Sequence, residues 1–176
     1  MPGRRRLPTR AELQTWRAFV ETTEALRTVI AGRLQSDTGL SPGDYSVLLA
    51  LSEAEDGRMR SSELAERVGW ERSRLSHHLG RMERRRLIRR EKAATDNRGA
   101  EIILAPAGAT AFGEATAPHL RAIRELFVDA LTPEQVAAVA EIAAALREHL
   151  ARPRPVQRGP GGRRGAGADA AGAAGA

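Results

Sequence analysis

Apolar positions recur at helical spacing along most of this chain. Leu13, Trp16, Val20, Leu26, Ile30 and Leu34 mark one side of a helix from about Thr9 to Gln35, which Asp37-Thr38-Gly39 ends. Val47, Leu48, Leu49 and Leu51 fill a second helix. Its start is well signalled, with Ser41 as N-cap, Pro42 in the first turn and Asp44 completing a capping box. After a turn at Glu55-Asp56-Gly57, Arg58-Met59-Arg60 reads as a short extended piece. Ser61 or Ser62 then caps a brief helix, Glu63 to Val68, with Leu64 and Val68 inward and Gly69 ending it where positive φ is tolerated. A longer helix follows from Glu71 to about Arg85 or Arg86, with Leu75, Leu79 and Met82 as its apolar stripe. Two short helices joined by a glycine-containing turn form a helix-turn-helix, with Trp70 as the packing anchor of that turn.

The period then changes. Leu87–Glu91 and Ala100–Ala105 read as strands, and the polar segment Lys92–Gly99 reads as the long tip of a hairpin. A hairpin directly behind a helix-turn-helix makes a winged helix. Ala105-Pro106-Ala107-Gly108 restarts a helix to about Ala130, in which Pro118 predicts an interruption and a kink. Thr132-Pro133-Glu134-Gln135 repeats the start grammar, and Val136, Val139, Ile142, Leu146 and Leu150 line the last helix. The expected fold class is mainly α with a small β wing: a winged helix-turn-helix lobe plus a helical dimerisation region. Pro2, Gly3, Pro8 and the Arg4-Arg5-Arg6 run make residues 1–10 a flexible basic arm. Residues 152–176 hold seven Gly, seven Ala and three Pro, a composition too poor in buriable surface to order itself, so a disordered Arg/Gly/Ala-rich tail is expected.

Composition narrows the chemistry. Aromatic residues make up only 3% of the 176, so the core must be aliphatic. With no cysteine, disulfides, thiol catalysis and cysteine-bound zinc are excluded. No run approaches the roughly 18 apolar residues of a membrane span, and no apolar stretch follows the basic start, which predicts a soluble cytoplasmic protein, nucleoid-associated when bound to DNA. The net charge of +6 is polarised: residues 58–98 carry +7, while residues 11–57 and 99–151 together carry −9. A basic surface confined to one segment is the footprint of a nucleic-acid site. Arginine outnumbers lysine 27 to 1, which suits bidentate phosphate and base contacts and equally a GC-rich genome.

The helix inside that segment supplies the reader. Opposite its apolar stripe lie Ser73, His77, Arg81 and Arg84, flanked by Arg74 and Ser76, a face made almost wholly of hydrogen-bond donors. Arg reads guanine edges and phosphates, while Ser and His serve either. On the hairpin tip Asp96 and Arg98 flank one residue. A carboxylate there either pins the guanidinium for a narrow minor groove or forms an exposed ion pair of little consequence. His77-His78 is not a chelate, because adjacent helical residues point about 100° apart. Neither a glycine-rich phosphate loop nor a nucleophile with a base is present, so an enzyme is not expected, and no metal or cofactor is implied.

Three stretches together resemble the multiple-antibiotic-resistance regulator (MarR) family of winged-helix transcription factors. Leu40-Ser41-Pro42-Gly43-Asp44-Tyr45-Ser46-Val47-Leu48 is similar to its second-helix opening, and Ser73-Arg74-Leu75-Ser76-His77-His78-Leu79-Gly80-Arg81-Met82-Glu83 to its recognition helix. Asp96-Asn97-Arg98-Gly99, followed by Leu104-Ala105-Pro106-Ala107-Gly108, is similar to its wing and the helix start behind it. The resemblance spans about residues 10–150. It implies a domain over residues 11–151, with a DNA-binding lobe at about 40–105 and dimerisation helices at about 11–36 and 106–151. It further implies a ligand-responsive homodimeric regulator, a repressor on a near-palindromic operator of double-stranded DNA. Ser76, His77 and Arg81 match recognition-helix contacts, Arg98 the wing arginine of the minor groove, and Asp96 the acid that holds it. Leu13, Val139, Ile142 and Leu146 are expected at the dimer seam. A small aromatic or phenolic effector is implied between the dimerisation helices and the DNA lobe, where Trp16, Tyr45 and His119 are either lining residues or simple core. His77 departs from the pattern where arginine is frequent, and Arg86 where glycine commonly ends the helix; the tail lies outside the pattern. Two other functions fit the same fold: a chromosome-associated winged helix without an effector, and a winged helix used for protein contact.

Overall fold

The computed structural model describes residues 6–92 and 100–152. The chain divides into two units, Met1–Pro133 and Glu134–Ala176.

In the first unit, α1 (Arg10–Thr38) opens on a capping box in which Thr9 and Glu12 each bond the other's backbone N–H. It runs three residues past Gln35, because Gly39 adopts φ 70° and donates its N–H to the Gln35 carbonyl. Of the expected apolar side only Leu34 is buried, while Leu13, Trp16 and Val20 lie exposed. The second helix, α2 (Pro42–Ser52), starts as expected: the Ser41 N–H bonds Asp44 Oδ2 at 3.0 Å and the Asp44 N–H bonds Ser41 Oγ at 3.1 Å.

A short turn, Glu55–Gly57, leads to β1 (Arg58–Arg60), and α3 (Ser61–Val68) follows without a residue between. Neither Ser61 nor Ser62 is the cap. Arg60 holds the N-cap position with extended backbone and no side-chain cap bond, because the strand feeds the helix directly and Ser61 is already helical. Gly69 closes α3 at φ 67°, and α4 (Arg72–Arg84) completes the helix-turn-helix.

The chain leaves α4 through Arg85 and Arg86, and Arg86 takes φ 61°. There follow β2 (Ile88–Lys92) and β3 (Ala100–Leu104), antiparallel in the register Ile88↔Leu104 to Lys92↔Ala100. The extended piece at Arg58–Arg60 is the third strand: it pairs with the other edge of β3, Met59 opposite Ile102, giving the order β1-β3-β2. Alternation decides the faces, so Met59, Ile88 and Ile102 point into the cluster that Val47, Leu48, Leu51, Leu64, Leu75, Leu79 and Met82 fill from the helices. Each such side chain contributes about 1.5–3 kcal/mol on burial, so the lobe is held by its helices and sheet jointly.

Pro118 does not interrupt α5 (Pro106–Ile123). One missing donor costs one rung, and the buried Ala115 and Ala122 seat the helix on both sides of it. The irregularity comes later, as a π turn at Arg124–Val128 closed by the Asp129 N–H on the Arg124 carbonyl at 2.8 Å. Glu125 in that turn grips Arg33 of α1 at 2.6 and 3.0 Å. In the second unit, α6 (Pro133–Ala151) buries no residue.

Candidate nucleic-acid interface

The geometry of α4 follows from its sequence. Leu75, Leu79 and Met82 are at most 1% exposed, which fixes the rotation of the helix about its axis. Ser73, His77, Arg81 and Arg84 then share the outer face at spacings of four, four and three, with Arg72, Arg74 and Ser76 beside them, all exposed. Arg81 and Arg84 stand in the last turn, where the helix carbonyls favour cations.

Several of these side chains are already held. The guanidinium of Arg74 lies 4.7 Å from the centre of the Trp70 ring, a cation–π contact. Trp70 is half-buried and its ring meets His78 edge-on at 5.1 Å, so it is indeed an anchor of the turn. Arg81 Nη2 is 2.8 Å from His78 Nδ1. From the wing, Arg90 donates to the Ser76 carbonyl at 2.9 Å and lies 3.3 Å from Glu83, clamping β2 to the middle of α4.

Below this face sits a polar group that sequence reasoning read only as a cap. Asp44 is 3% exposed. Its carboxylate lies 3.1 Å from His78 Nε2 and accepts from Arg85 Nη1 at 2.7 Å, while Arg85 Nη2 reaches the Gly39 carbonyl at 3.0 Å. Burial alone would push the Asp44 carboxyl up. The bonds from His78, the Ser41 N–H, Arg85 and the Ser41 hydroxyl outweigh it and hold the group well below the usual carboxylate range. His78 was also missed. Its signal was present: it stands three residues after Leu75 and four before Met82, on the apolar stripe, and a polar side chain there needs a buried partner.

Asp96 and Arg98 lie outside the described residues. Tyr45 and His119 are brought together, with ring centres 4.5 Å apart, and Phe112 packs on Tyr45 at 5.2 Å. Tyr45 and His119 line a pocket of about 330 Å³ with Ile30, Leu34 and Pro42, and Glu24 and Arg27 also border it. Burial lowers the pKa of His119, and its Nδ1 has no hydrogen-bond partner among the described residues. Trp16 is not in this pocket. It is 62% exposed in a separate groove with Leu7, Pro8 and Leu13. Val139, Ile142 and Leu146 are exposed on α6. No helix among the described residues is long and apolar enough to cross a membrane.

A helix-turn-helix backed by a three-stranded wing, presenting one basic helix face, defines a winged-helix DNA-binding transcriptional regulator. A profile of the MarR family matches residues 38–99. The fold of AbsC, a MarR family transcriptional regulator from Streptomyces coelicolor, aligns with a TM-score of 0.76 at 35% identity, over 82% of this chain and 97% of that one. Sco3205, a MarR family transcriptional regulator from the same organism solved in complex with DNA, aligns with a TM-score of 0.80 at 34% identity, over 85% and 93%. The organohalide-sensing regulator RdhR-CbdbA1625, in its 2,4-dichlorophenol-bound form, shares the fold at 19% identity, with a TM-score of 0.70 over 85% and 89%. No curated protein matches the chain. The chain belongs to the MarR family of transcriptional regulators, and it is not an enzyme.

Proposed function

We propose that the chain is a ligand-responsive homodimeric repressor, acting in the cytoplasm, that sets α4 of each protomer into the major groove of a near-palindromic operator. The observation that carries this reading is the exposed line Ser73, His77, Arg81 and Arg84 on a helix whose other face is locked in the core. Arg74 and Ser76 flank it, and Arg98, held by Asp96, is assigned to the adjacent minor groove. The DNA complex of a relative at 34% identity supports the same use of this lobe.

Residues of about 40–105 are the DNA lobe in this reading, and helices at about 11–36 and 106–151 are the dimer region. Leu13 on α1 is 50% exposed, and on α6 Val139, Ile142 and Leu146 are exposed one turn apart, an apolar row suited to a partner helix. Trp16, exposed beside Leu13, suits this seam better than a ligand pocket. Two-fold symmetry then sets half-site centres roughly 10 base pairs apart.

The effector is assigned to the Tyr45–His119 pocket. Its volume lies at the lower end of the range for small-molecule sites, roughly 300–1,000 Å³. A related fold holds a chlorophenol. A small aromatic or phenolic molecule fits these walls, and it can release DNA only as far as it distinguishes the two dimer shapes.

Selection of DNA with the purified protein, followed by comparison of wild type and Arg81→Ala on the selected and on random duplexes, tests the reading. Loss of about 1–3 kcal/mol on the selected duplex alone is the expected result. Equal weakening on both assigns Arg81 to phosphate, and unchanged affinity on both removes Arg81 from the interface.

A further inference from the structure

His78 is 8% exposed and lies on the inner side of α4, yet both of its ring nitrogens are engaged by charged groups. On one side Nε2 is 3.1 Å from Asp44 Oδ1. On the other, Nδ1 is 2.8 Å from Arg81 Nη2. A guanidinium offers only donors, so Nδ1 must present its lone pair to Arg81. The ring proton then sits on Nε2, 3.1 Å from the Asp44 carboxylate in a close polar contact that is not aligned as a hydrogen bond. The ring cannot turn out of this arrangement. Trp70 stands against it at 83°, and a Cβ on Gly43 would fall 2.8 Å from its Cε1, so the glycine backbone is already in close contact.

We propose that His78 is a positioning residue for DNA reading: it takes its orientation from Asp44 in α2 and passes it to Arg81, fixing the direction in which that exposed guanidinium leaves the helix. This rests on the reading of Arg81 as a base contact. An arginine has four rotatable side-chain bonds, and an unanchored one must be ordered when it meets a base edge. Ordering a rotamer-rich side chain weakens binding by about two- to tenfold, and here that cost is met before DNA arrives. The contact uses only part of the guanidinium fork, which leaves the remaining donors for a base edge. Asp44 opens α2 and directly precedes Tyr45, so the anchor of Arg81 begins one residue from the wall of the proposed effector pocket.

The test uses the full chain on the selected operator and on a random duplex, with melting curves recorded beside each titration. His78→Leu keeps the volume and removes both polar atoms. It is expected to lower the operator-to-random affinity ratio by about two- to tenfold. His78→Gln, whose amide supplies a donor and an acceptor, is expected to restore most of the ratio. In an Arg81→Ala background His78→Leu should cause no further loss of ratio. A ratio that falls with Arg81→Ala but stays at the wild-type value with His78→Leu overturns the positioning role and leaves the function standing. A ratio unmoved by Arg81→Ala overturns the base contact and this inference with it. Should His78→Leu not fold, ¹⁵N shifts of the wild-type imidazole decide: protonated Nε2 with bare Nδ1 is expected, and the opposite tautomer overturns the inference.

Discussion

Arg85 donates to the Asp44 carboxylate at 2.7 Å, across 41 residues of chain, and so bolts the end of α4 to the start of α2. Asp44 is held well below its ordinary value of 3.8, so its contribution to stability is complete above that pH and is lost as the pH falls further. Asp44→Asn is expected to cost about 3 kcal/mol at pH 7, the low end for a broken buried pair because Arg85 is half-exposed. The gap between wild type and variant should hold from pH 7 to about 5 and close progressively below about 4. Urea unfolding across that range measures it; a constant gap down to pH 2 would show that the carboxylate charge is not what stabilises.

Gly108 stands where α5 crosses the joint between α4 and β2. A Cβ there would collide with the Leu87 carbonyl, whose oxygen also accepts the Ala105 N–H. Backbone cannot swing aside as a side chain does, so Gly108→Ala is expected to destabilise by about 2–3 kcal/mol. Gly113, in the same helix, has nothing within 4 Å of its added Cβ. Gly113→Ala should stabilise by about 0.5–1 kcal/mol through helix propensity alone. Opposite signs in thermal unfolding of the two variants are the expected result.

Arg86 adopts φ 61°, a region where a side chain costs roughly 1–2 kcal/mol. Arg86→Gly should therefore raise stability by about 1 kcal/mol. Because Arg86 belongs to none of the outer-face positions of α4, the operator-to-random affinity ratio should be unchanged. A lower ratio in binding titrations would place Arg86 at the DNA.

Leu146→Glu combined with Ile142→Glu sets two charges into the proposed seam. The wild type should run as a dimer at micromolar concentration in sizing with light scattering. The double variant should run as a folded monomer and lose operator affinity, because one recognition helix alone spans one half-site. A dimeric double variant would move the seam off α6.

How much of this was legible in the sequence depends on how local the cause was. Leu75, Leu79 and Met82 announced α4 and the rotation that exposes Arg81, since periodicity acts within one helix. Ser41, Pro42 and Asp44 announced a helix start for the same reason. The second role of Asp44 was not legible, because its partners His78 and Arg85 come from another helix far along the chain and nothing in their spacing marks the pairing. Arg90's grip on the Ser76 carbonyl is of the same kind, side chain to backbone across the wing. Pro118 misled, since the expectation weighed a missing donor and not the packing of Ala115 and Ala122. Trp16 and Tyr45 looked alike as aromatics, and only the fold separates one in an exposed groove from one against His119.

The sheet order has a consequence for how the lobe assembles. β2 and β3 are close in sequence, so their pairing closes a small loop and is expected to form early. β1 reaches β3 only across more than forty residues, Arg58 to Ile103, and its three rungs form against a larger loop-closure entropy. The segment enclosed by that late pairing is α3, α4 and β2, the whole reading apparatus. The β1 rungs are thus expected to close last in folding, and pulse-labelled hydrogen exchange in which β1 amides gain protection no later than those of β2 would overturn that order.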